Sequence, residues 1–398
     1  MAGMAAGGGP AAARSARGCA AVMNPRPGVH ETKGDEMHGT PEGAVDDDGR
    51  PWELLDTTLR DGGYAIDFQF DAEFVAELMS GLDRTPVRLV EVGHGLGFEA
   101  ERRGIPPCSI DLKGWCELAA TRLRRTSWGM FAQPEFSSLA TLAALCADGM
   151  SFVRVGVEPH RVPEVLDYLA TSVELCDQVY LNLMKTSDTP AEELPRFLKD
   201  VPAEIAGIYV VDSNGSMLPA DVERYVRVIA DVTGAVGFHG HDNLGVANAN
   251  SLAAAHAGAS IVDATLDGIG RGAGNASIES LAGILARQGE DRYGYQELAR
   301  LAQLCRSTLH VVPENRRMQV LGGVIGMHSG LFDLVEKTSA RFGLCEAAVM
   351  AEAVRIARYE AGRGDVELAA RSIAPDSRLM TSAAASASGP EQPAGGTR

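Results

Sequence analysis

Between residues 52 and 266 short apolar runs alternate with longer stretches whose apolar positions recur at helical spacing. The short runs are rich in β-branched and apolar residues: Trp52–Thr57, Val87–Gly93, Ser127–Ala132, Phe152–Gly156, Gln178–Leu183, Gly207–Asp212, Ala235–His239 and Ile261–Leu266. Each predicts a strand. The intervening stretches predict helices, as at Phe74, Leu78 and Leu82, or along Ala247 to Ala257. Eight strand–helix units within about 235 residues predict an α/β fold, a (β/α)8 TIM barrel. An open doubly wound sheet would need a phosphate-binding glycine loop after its first strand, and Thr58–Gly63 is not one.

The strand signal stops near Asp291. Leu298, Leu301 and Leu304, then Leu331, Leu334 and Val335, then Val349, Ala353 and Ile356 lie at helical spacing. The expected division is therefore a disordered leader over 1–50, a barrel over 51–290, a small helical C-terminal module over 291–375 and a disordered tail over 376–398. The leader is rich in Ala and Gly, with Gly7-Gly8-Gly9-Pro10 and no apolar face, which favours disorder over a transit peptide.

Hydrophobic residues make up 45% of the chain and charged residues 22%, enough to bury a sizeable core. Lys and Arg number 36 against 53 Asp and Glu, a formal charge of −17 that argues against nucleic-acid binding. No apolar run reaches the length of a membrane span. Seven scattered cysteines without a C-x-x-C pair fit free thiols in a reducing, cytoplasmic compartment.

Catalytic groups in such a barrel lie at the C-terminal ends of the strands. The first strand runs into Asp56-Thr57-Thr58-Leu59-Arg60-Asp61-Gly62-Gly63-Tyr64, the seventh into His239-Gly240-His241-Asp242-Asn243, and the eighth into a glycine-rich stretch over 268–274 followed by Asn275. His239 and His241 are two apart on a strand, so both imidazoles point to one face. With a carboxylate they would suit Mn²⁺, Fe²⁺, Co²⁺ or Zn²⁺. Asp61 is the best-placed carboxylate, because barrel closure brings the first strand round near the seventh. The plainer reading is a pair of hydrogen-bonded core histidines. Arg60 can hold a carboxylate or stabilise an enolate oxygen, or else serve as a structural partner for Asp56. The glycines permit close backbone approach to a ligand, or simply a tight turn.

The stretch 56–62, His-x-His at 239–241 and Gly-Ala-Gly-Asn at 272–275 resemble the pyruvate-carboxyltransferase-like barrel superfamily. That group contains isopropylmalate and homocitrate synthases, hydroxymethylglutaryl-CoA lyase and 4-hydroxy-2-oxovalerate aldolases. Val90-Glu91-Val92-Gly93-His94-Gly95, Tyr209-Val210-Val211-Asp212-Ser213 and the region from Leu321-Gly322-Gly323 through Phe342-Gly343-Leu344 resemble the aldolase branch. The resemblance implies a divalent-metal-dependent pyruvate aldolase. It implies that Asp61, His239 and His241, with Asn275 as a fourth ligand, hold a cation, most often Mn²⁺ with Mg²⁺, Co²⁺ or Zn²⁺ as alternatives. It implies that Arg60 stabilises the pyruvate enolate. His94, Lys185, Thr186 and Asp212, together with Arg60 and Asp61, are the expected substrate contacts; Phe98, Glu99 and Arg102 are expected to line the pocket.

One position departs from the aldolase pattern. The family's catalytic His, two residues after the Gly of Arg-Asp-Gly, is Tyr64 here, and the family's C-terminal Tyr is matched by His328. A free phenol titrates near ~10 and is a poor base at pH 7. The two residues are therefore expected to have exchanged roles, His328 as base and Tyr64 as proton donor. Alternatively Tyr64 shapes a pocket and His94, His160 or a hydroxide on the cation is the base. The expected reaction is cleavage or formation of a 4-hydroxy-2-oxo acid from pyruvate and an aldehyde. Rival readings are a Claisen-type synthase condensing an acyl-CoA with a 2-oxo acid, for which Gly63-Tyr64 departs from Arg-Asp-Gly-Glu-Gln, and an inactive partner-binding subunit. Lys185 would serve an anionic group rather than a Schiff base. The resemblance further implies an aldehyde dehydrogenase partner docked through the C-terminal module, and self-association is compatible with it.

Overall fold

The computed structural model describes residues 52–311 and 315–374. The expected leader over 1–50 and tail over 376–398 lie outside the described residues. Eight parallel strands close into a barrel in chain order: β1 Glu53–Asp56, β2 Leu89–Val92, β3 Ser127–Ala132, β4 Phe152–Val157, β5 Gln178–Leu183, β6 Gly207–Asp212, β7 Val236–Gly240 and β8 Ile261–Ala264. Closure is made by β1, which pairs with both β2 and β8, with Leu55 opposite Leu89 on one side and Asp263 on the other. The helices α1 Ala72–Arg84, α2 Leu112–Arg122, α3 Leu139–Ala147, α4 Leu166–Leu175, α5 Leu194–Leu198, α6 Pro219–Ala230, α7 Ala247–His256 and α8 Ile278–Arg287 follow the strands in turn.

The period of two along each strand sorts side chains into two cores. Leu55, Leu89, Phe152, Tyr180, Tyr209, Val211 and Ile261 form one cluster. Their alternates, such as Leu54, Val90, Val153, Val155 and Val262, join a larger cluster that includes helix residues Phe74, Val75, Leu78 and Leu82. Large inward rings require small neighbours. A Cβ at Gly237 would come within 2.4 Å of the Tyr209 ring, and one at Gly156 within 2.1 Å of Phe131. The start of α1 shows how a local signal sets an element: the Asp71 carboxylate accepts from the Glu73 and Phe74 amides at 2.9 and 3.0 Å.

The helical region expected from 291 divides differently. α9 (Tyr295–Leu309) packs on α1 and α8, and α10 (Arg316–Ile325) carries Gln319, whose carbonyl and side-chain oxygens accept from Asn243 Nδ2 at 3.1 and 3.0 Å. Both belong to the barrel's compact unit, which ends at Ser329. The boundary therefore falls at 329/330 rather than near 291, because the apolar stripe of α9 (Leu298, Leu301, Cys305) is buried against barrel helices. The second unit contains α11 Phe332–Phe342, α12 Glu346–Ile356 and α13 Arg363–Ile373, with α13 packed on both others. Cys108, Cys116, Cys146, Cys176 and Cys305 are free thiols. No single described helix is long and apolar enough to cross a membrane.

At the mouth of β1, Asp56 accepts from the Thr58 amide at 3.1 Å and from its hydroxyl at 2.8 Å, while Thr58 Oγ1 accepts from the Leu266 amide at 2.8 Å. This knot ties the β1 turn to the end of β8. It also shows that Asp56 is partnered by Thr58 rather than by Arg60. Burial pushes the Asp56 carboxyl up to about 7 despite these bonds. A folded-state value above the unfolded one adds stability below roughly pH 4 that is lost as pH rises to about 7. The difference between the Tm of the wild type and that of Asp56→Asn should therefore shrink across this window in thermal scans. A pH-independent difference would contradict the assignment.

Candidate active site

The turn after β1 delivers Arg60 and Asp61, which are 5% and 2% exposed. β7 delivers His239 near its end and His241 just beyond, with ring centroids 5.1 Å apart. One ligand atom from each of Asp61, His239 and His241 lies within 4.8 Å of the others, and all three residues are buried. Each imidazole is held from behind. His239 Nδ1 is 2.9 Å from Asp263 Oδ2, and His241 Nδ1 donates to the Gly274 carbonyl at 3.2 Å. Both rings thus keep Nε2 for the shared point, the arrangement by which outer partners orient metal-ligating histidines.

Asn275 comes in from the loop after β8. Its Nδ2 donates to Asp61 Oδ2 at 2.6 Å and to the Ile269 carbonyl at 3.1 Å, leaving Oδ1 buried without a hydrogen-bond partner. Gly270 completes the cradle: a Cβ there would stand 2.1 Å from Asn275 Nδ2 and 2.9 Å from Asp61 Oδ2.

Beneath these groups runs a buried charge network. Arg60 Nε donates to Glu91 Oε2 at 2.5 Å and Nη1 to Asp61 Oδ1 at 2.6 Å, and its guanidinium lies 5.1 Å from the Phe131 ring centroid. Arg154, fully buried on β4, donates from Nε to Glu91 Oε1 at 2.7 Å and also bonds Glu91 Oε2 and Asp263 Oδ2. Burial alone would raise the Asp61 carboxyl; Arg60, His241, His239 and the Asn275 bond hold it well below the usual range. Burial drops His241 to about 4, so it is neutral at pH 7. Three carboxylates (Asp61, Glu91, Asp263) face two guanidiniums (Arg60, Arg154), a net charge of −1. Excess negative charge, two imidazoles facing one point and an orphaned amide oxygen all fit a divalent cation.

Tyr64 is half-buried, edge-on to Phe68 at 4.8 Å and beneath the Arg271 guanidinium at 5.1 Å. Burial pushes its phenol up. The charges of Arg271, Lys185, His241 and Asp61 all bear on His328, whose imidazole is held well below its usual range by burial and by the nearby cations. Lys185, in a left-handed conformation, donates from Nζ to Glu158 Oε1 at 3.0 Å. His94 stacks on Phe68 at 4.1 Å and lines a cavity of about 190 Å³ with Phe98, Ile110, Trp115, Met130 and Phe131.

An HMGL-like family model matches residues 152–306. A 4-hydroxy-2-oxovalerate aldolase of Streptomyces tendae is 32% identical over 74% of this chain and 84% of its own length. An oxaloacetate decarboxylase of Mycobacterium tuberculosis is 35% identical over 59% of this chain and 70% of its own length. The chain belongs to the HMGL-like family. Within it, the relatives place it in the 4-hydroxy-2-oxovalerate aldolase branch, and it is a carbon–carbon lyase. The fold is shared with Bacillus subtilis HMG-CoA lyase (TM-score 0.54, 17% identity, 68% of this chain and 97% of that one). It is shared also with the carboxyl transferase domain of Rhizobium etli pyruvate carboxylase solved with pyruvate and biocytin (TM-score 0.64, 16% identity, 81% and 60%).

Several expected pocket residues of this HMGL-like lyase also make bonds within the fold. Thr186 Oγ1 donates to the Leu183 carbonyl and accepts from the Val211 amide, joining β5 to β6. Asp212 accepts from the Ser216 and Met217 amides at 3.0 Å each, closing its own loop. Glu99 is saturated by Arg102, Ser138 and Thr141. Short polar side chains beside strand ends bond the nearest free backbone groups. His160 lies in the turn after β4.

Sequence reasoning missed Arg154, Asp263 and Glu158 altogether, and gave Glu91 and Arg271 no role of their own. A signal existed for three of them. Val-Glu-Val at 90–92, Val-Arg-Val at 153–155 and Val-Asp-Ala at 262–264 each set one charge between apolar neighbours on a strand, which aims it into the barrel. Arg154→Met would leave Glu91 and Asp263 facing each other without a partner. It should cost about 3–5 kcal/mol in urea unfolding. A loss below ~1 kcal/mol would show the network to be solvated in solution.

Proposed function

We propose that this lyase is a divalent-metal-dependent pyruvate aldolase acting on a 4-hydroxy-2-oxo acid, with Asp61, His239, His241 and Asn275 as the cation's ligands. The observation that carries this reading is the convergence of Asp61, His239 and His241 beside Arg60, with both Nδ1 atoms engaged elsewhere. When bound, the cation would act as a Lewis acid on the oxygens of the 2-oxo acid. Retro-aldol cleavage of a 4-hydroxy-2-oxo acid and decarboxylation of oxaloacetate both break the C3–C4 bond and leave the pyruvate enolate. The two kinds of relative thus ask the same of a site: positive charge where the enolate oxygen develops.

Arg60 supplies that charge from the protein. Its Nε and Nη1 are fixed by Glu91 and Asp61, so it needs no reorganisation as the oxygen becomes negative. His328 takes the proton of the 4-hydroxyl. Its low affinity for protons keeps it neutral and able to accept at pH 7. Tyr64, whose phenol is pushed up by burial, holds its proton and donates it toward C3 of the enolate. The exchange of His and Tyr relative to the family pattern keeps one base and one acid at the mouth. An aldehyde-oxidising dehydrogenase and a second copy of the chain are the proposed protein partners.

The purified protein should bind one Mn²⁺, and His239→Ala or His241→Ala should abolish binding in a calorimetric titration. Unchanged affinity in both variants would remove the metal site. The Mn²⁺-loaded enzyme should release pyruvate from 4-hydroxy-2-oxovalerate and no CoA from acetyl-CoA. His328→Ala should lower kcat by roughly 10²–10⁴-fold. Near-wild-type turnover in that variant would exclude His328 as the base.

A further inference from the structure

The cations around the mouth differ in one respect. Arg60 is matched to Glu91 and Asp61, Arg154 to Glu91 and Asp263, and Lys185 to Glu158. Arg271 lies over the Tyr64 ring, and among the described residues no carboxylate is within salt-bridge distance of it. It is partly buried, where a guanidinium without an anion is unfavourable and a carboxylate can be bound bidentately. Its backbone is pinned. The Arg271 carbonyl accepts from the Gly274 amide at 3.1 Å, the Asn275 amide donates to Gly268 at 2.9 Å, and the Gly274 carbonyl accepts from Asp242 at 2.9 Å. A Cβ at Gly272 would come 3.1 Å from Gln319 Oε1, so the loop is also packed closely against α10.

Direction matters as much as charge. β1 lies between β8 and β2 in the barrel. Arg60 is drawn toward the β2 and β3 side by Glu91 and Phe131, whereas Arg271 comes off the loop after β8. Arg60 is thus held on the β2 and β3 side of the mouth, while Arg271 reaches Tyr64 from the loop after β8. Arg271 shares its surroundings with Tyr64, His241 and His328, the groups at which the C3–C4 bond would be handled.

We propose that the half of the substrate released as the carbonyl product carries its own carboxylate, and that Arg271 binds it. The substrate class is then a 4-hydroxy-2-oxo dicarboxylic acid, and the products are pyruvate and an aldehyde acid. This rests on the aldolase reading above. The step balances without an oxidant. The 4-hydroxyl proton passes to His328, the C3–C4 electron pair moves into the pyruvate enolate, C4 becomes the aldehyde carbon of the second acid, and C3 takes a proton from Tyr64. Arg271 contributes only binding and alignment of the distal carboxylate.

The test uses pairs of substrates that differ by carboxylate for methyl: 4-hydroxy-2-oxoglutarate against 4-hydroxy-2-oxovalerate, and the seven-carbon diacid against 4-hydroxy-2-oxoheptanoate. For the Mn²⁺-loaded full chain, kcat/KM should favour the diacid in at least one pair by roughly 10- to 100-fold. Arg271→Met should bring that preference close to unity, and Arg271→Lys should retain part of it. Equal use of acid and methyl substrates by the wild type in both pairs, or an Arg271→Met variant that keeps the preference, overturns the assignment. Exchange of pyruvate methyl hydrogens in D₂O separates the two levels. Wild-type exchange without a diacid preference overturns the Arg271 role and leaves the aldolase reading standing, while absence of both exchange and cleavage overturns both.

Discussion

A guanidinium sealed inside the barrel holds the site together. Arg154 cannot reach water, so its charge must be answered locally, and Glu91 and Asp263 answer it from β2 and β8. Each of those carboxylates has a second task at the mouth. Glu91 fixes Arg60, and Asp263 fixes His239. The cost of desolvating these charges is offset only when all of them are matched, which makes the network exacting in geometry. The groups that would meet substrate therefore inherit their orientation from ion pairs a layer below.

The network also sets the electrostatic character of the mouth. Its carboxylates outnumber its guanidiniums by one, so a bound divalent cation would turn a surplus of negative charge into a modest positive field. That field is what a developing enolate oxygen requires. The glycines of the loop after β8 serve the same end, since Gly270 leaves room for Asn275 and Asp61 to meet.

Much of the fold was legible along the chain. Barrel strands are short and separated by helices, so each left its own apolar run, and the eight runs correspond to the eight strands observed. Arg60, Asp61, His239 and His241 were legible because chemically unusual side chains sit next to strand ends. Thr186, Asp212 and Glu99 also lie near strand ends, where proximity does not reveal whether a side chain turns to the site or to a neighbouring amide. The extent of the C-terminal module misled because a helical stripe records that a helix is buried, not which partner buries it; α9 is buried on α1 and α8.

The sequence by itself determined the periodicities, hence the number and order of strands, and the residue types available at each strand end. Those are local properties, carried by neighbours within a few positions. Only the tertiary structure decided the pairings: Arg154 with Asp263 across 109 positions, Asn275 with Asp61 across 214, and Arg271 above Tyr64 with no acid beside it among the described residues. Barrel closure brings β8 against β1, and a contact created by closure leaves no trace in the spacing of residues along either strand.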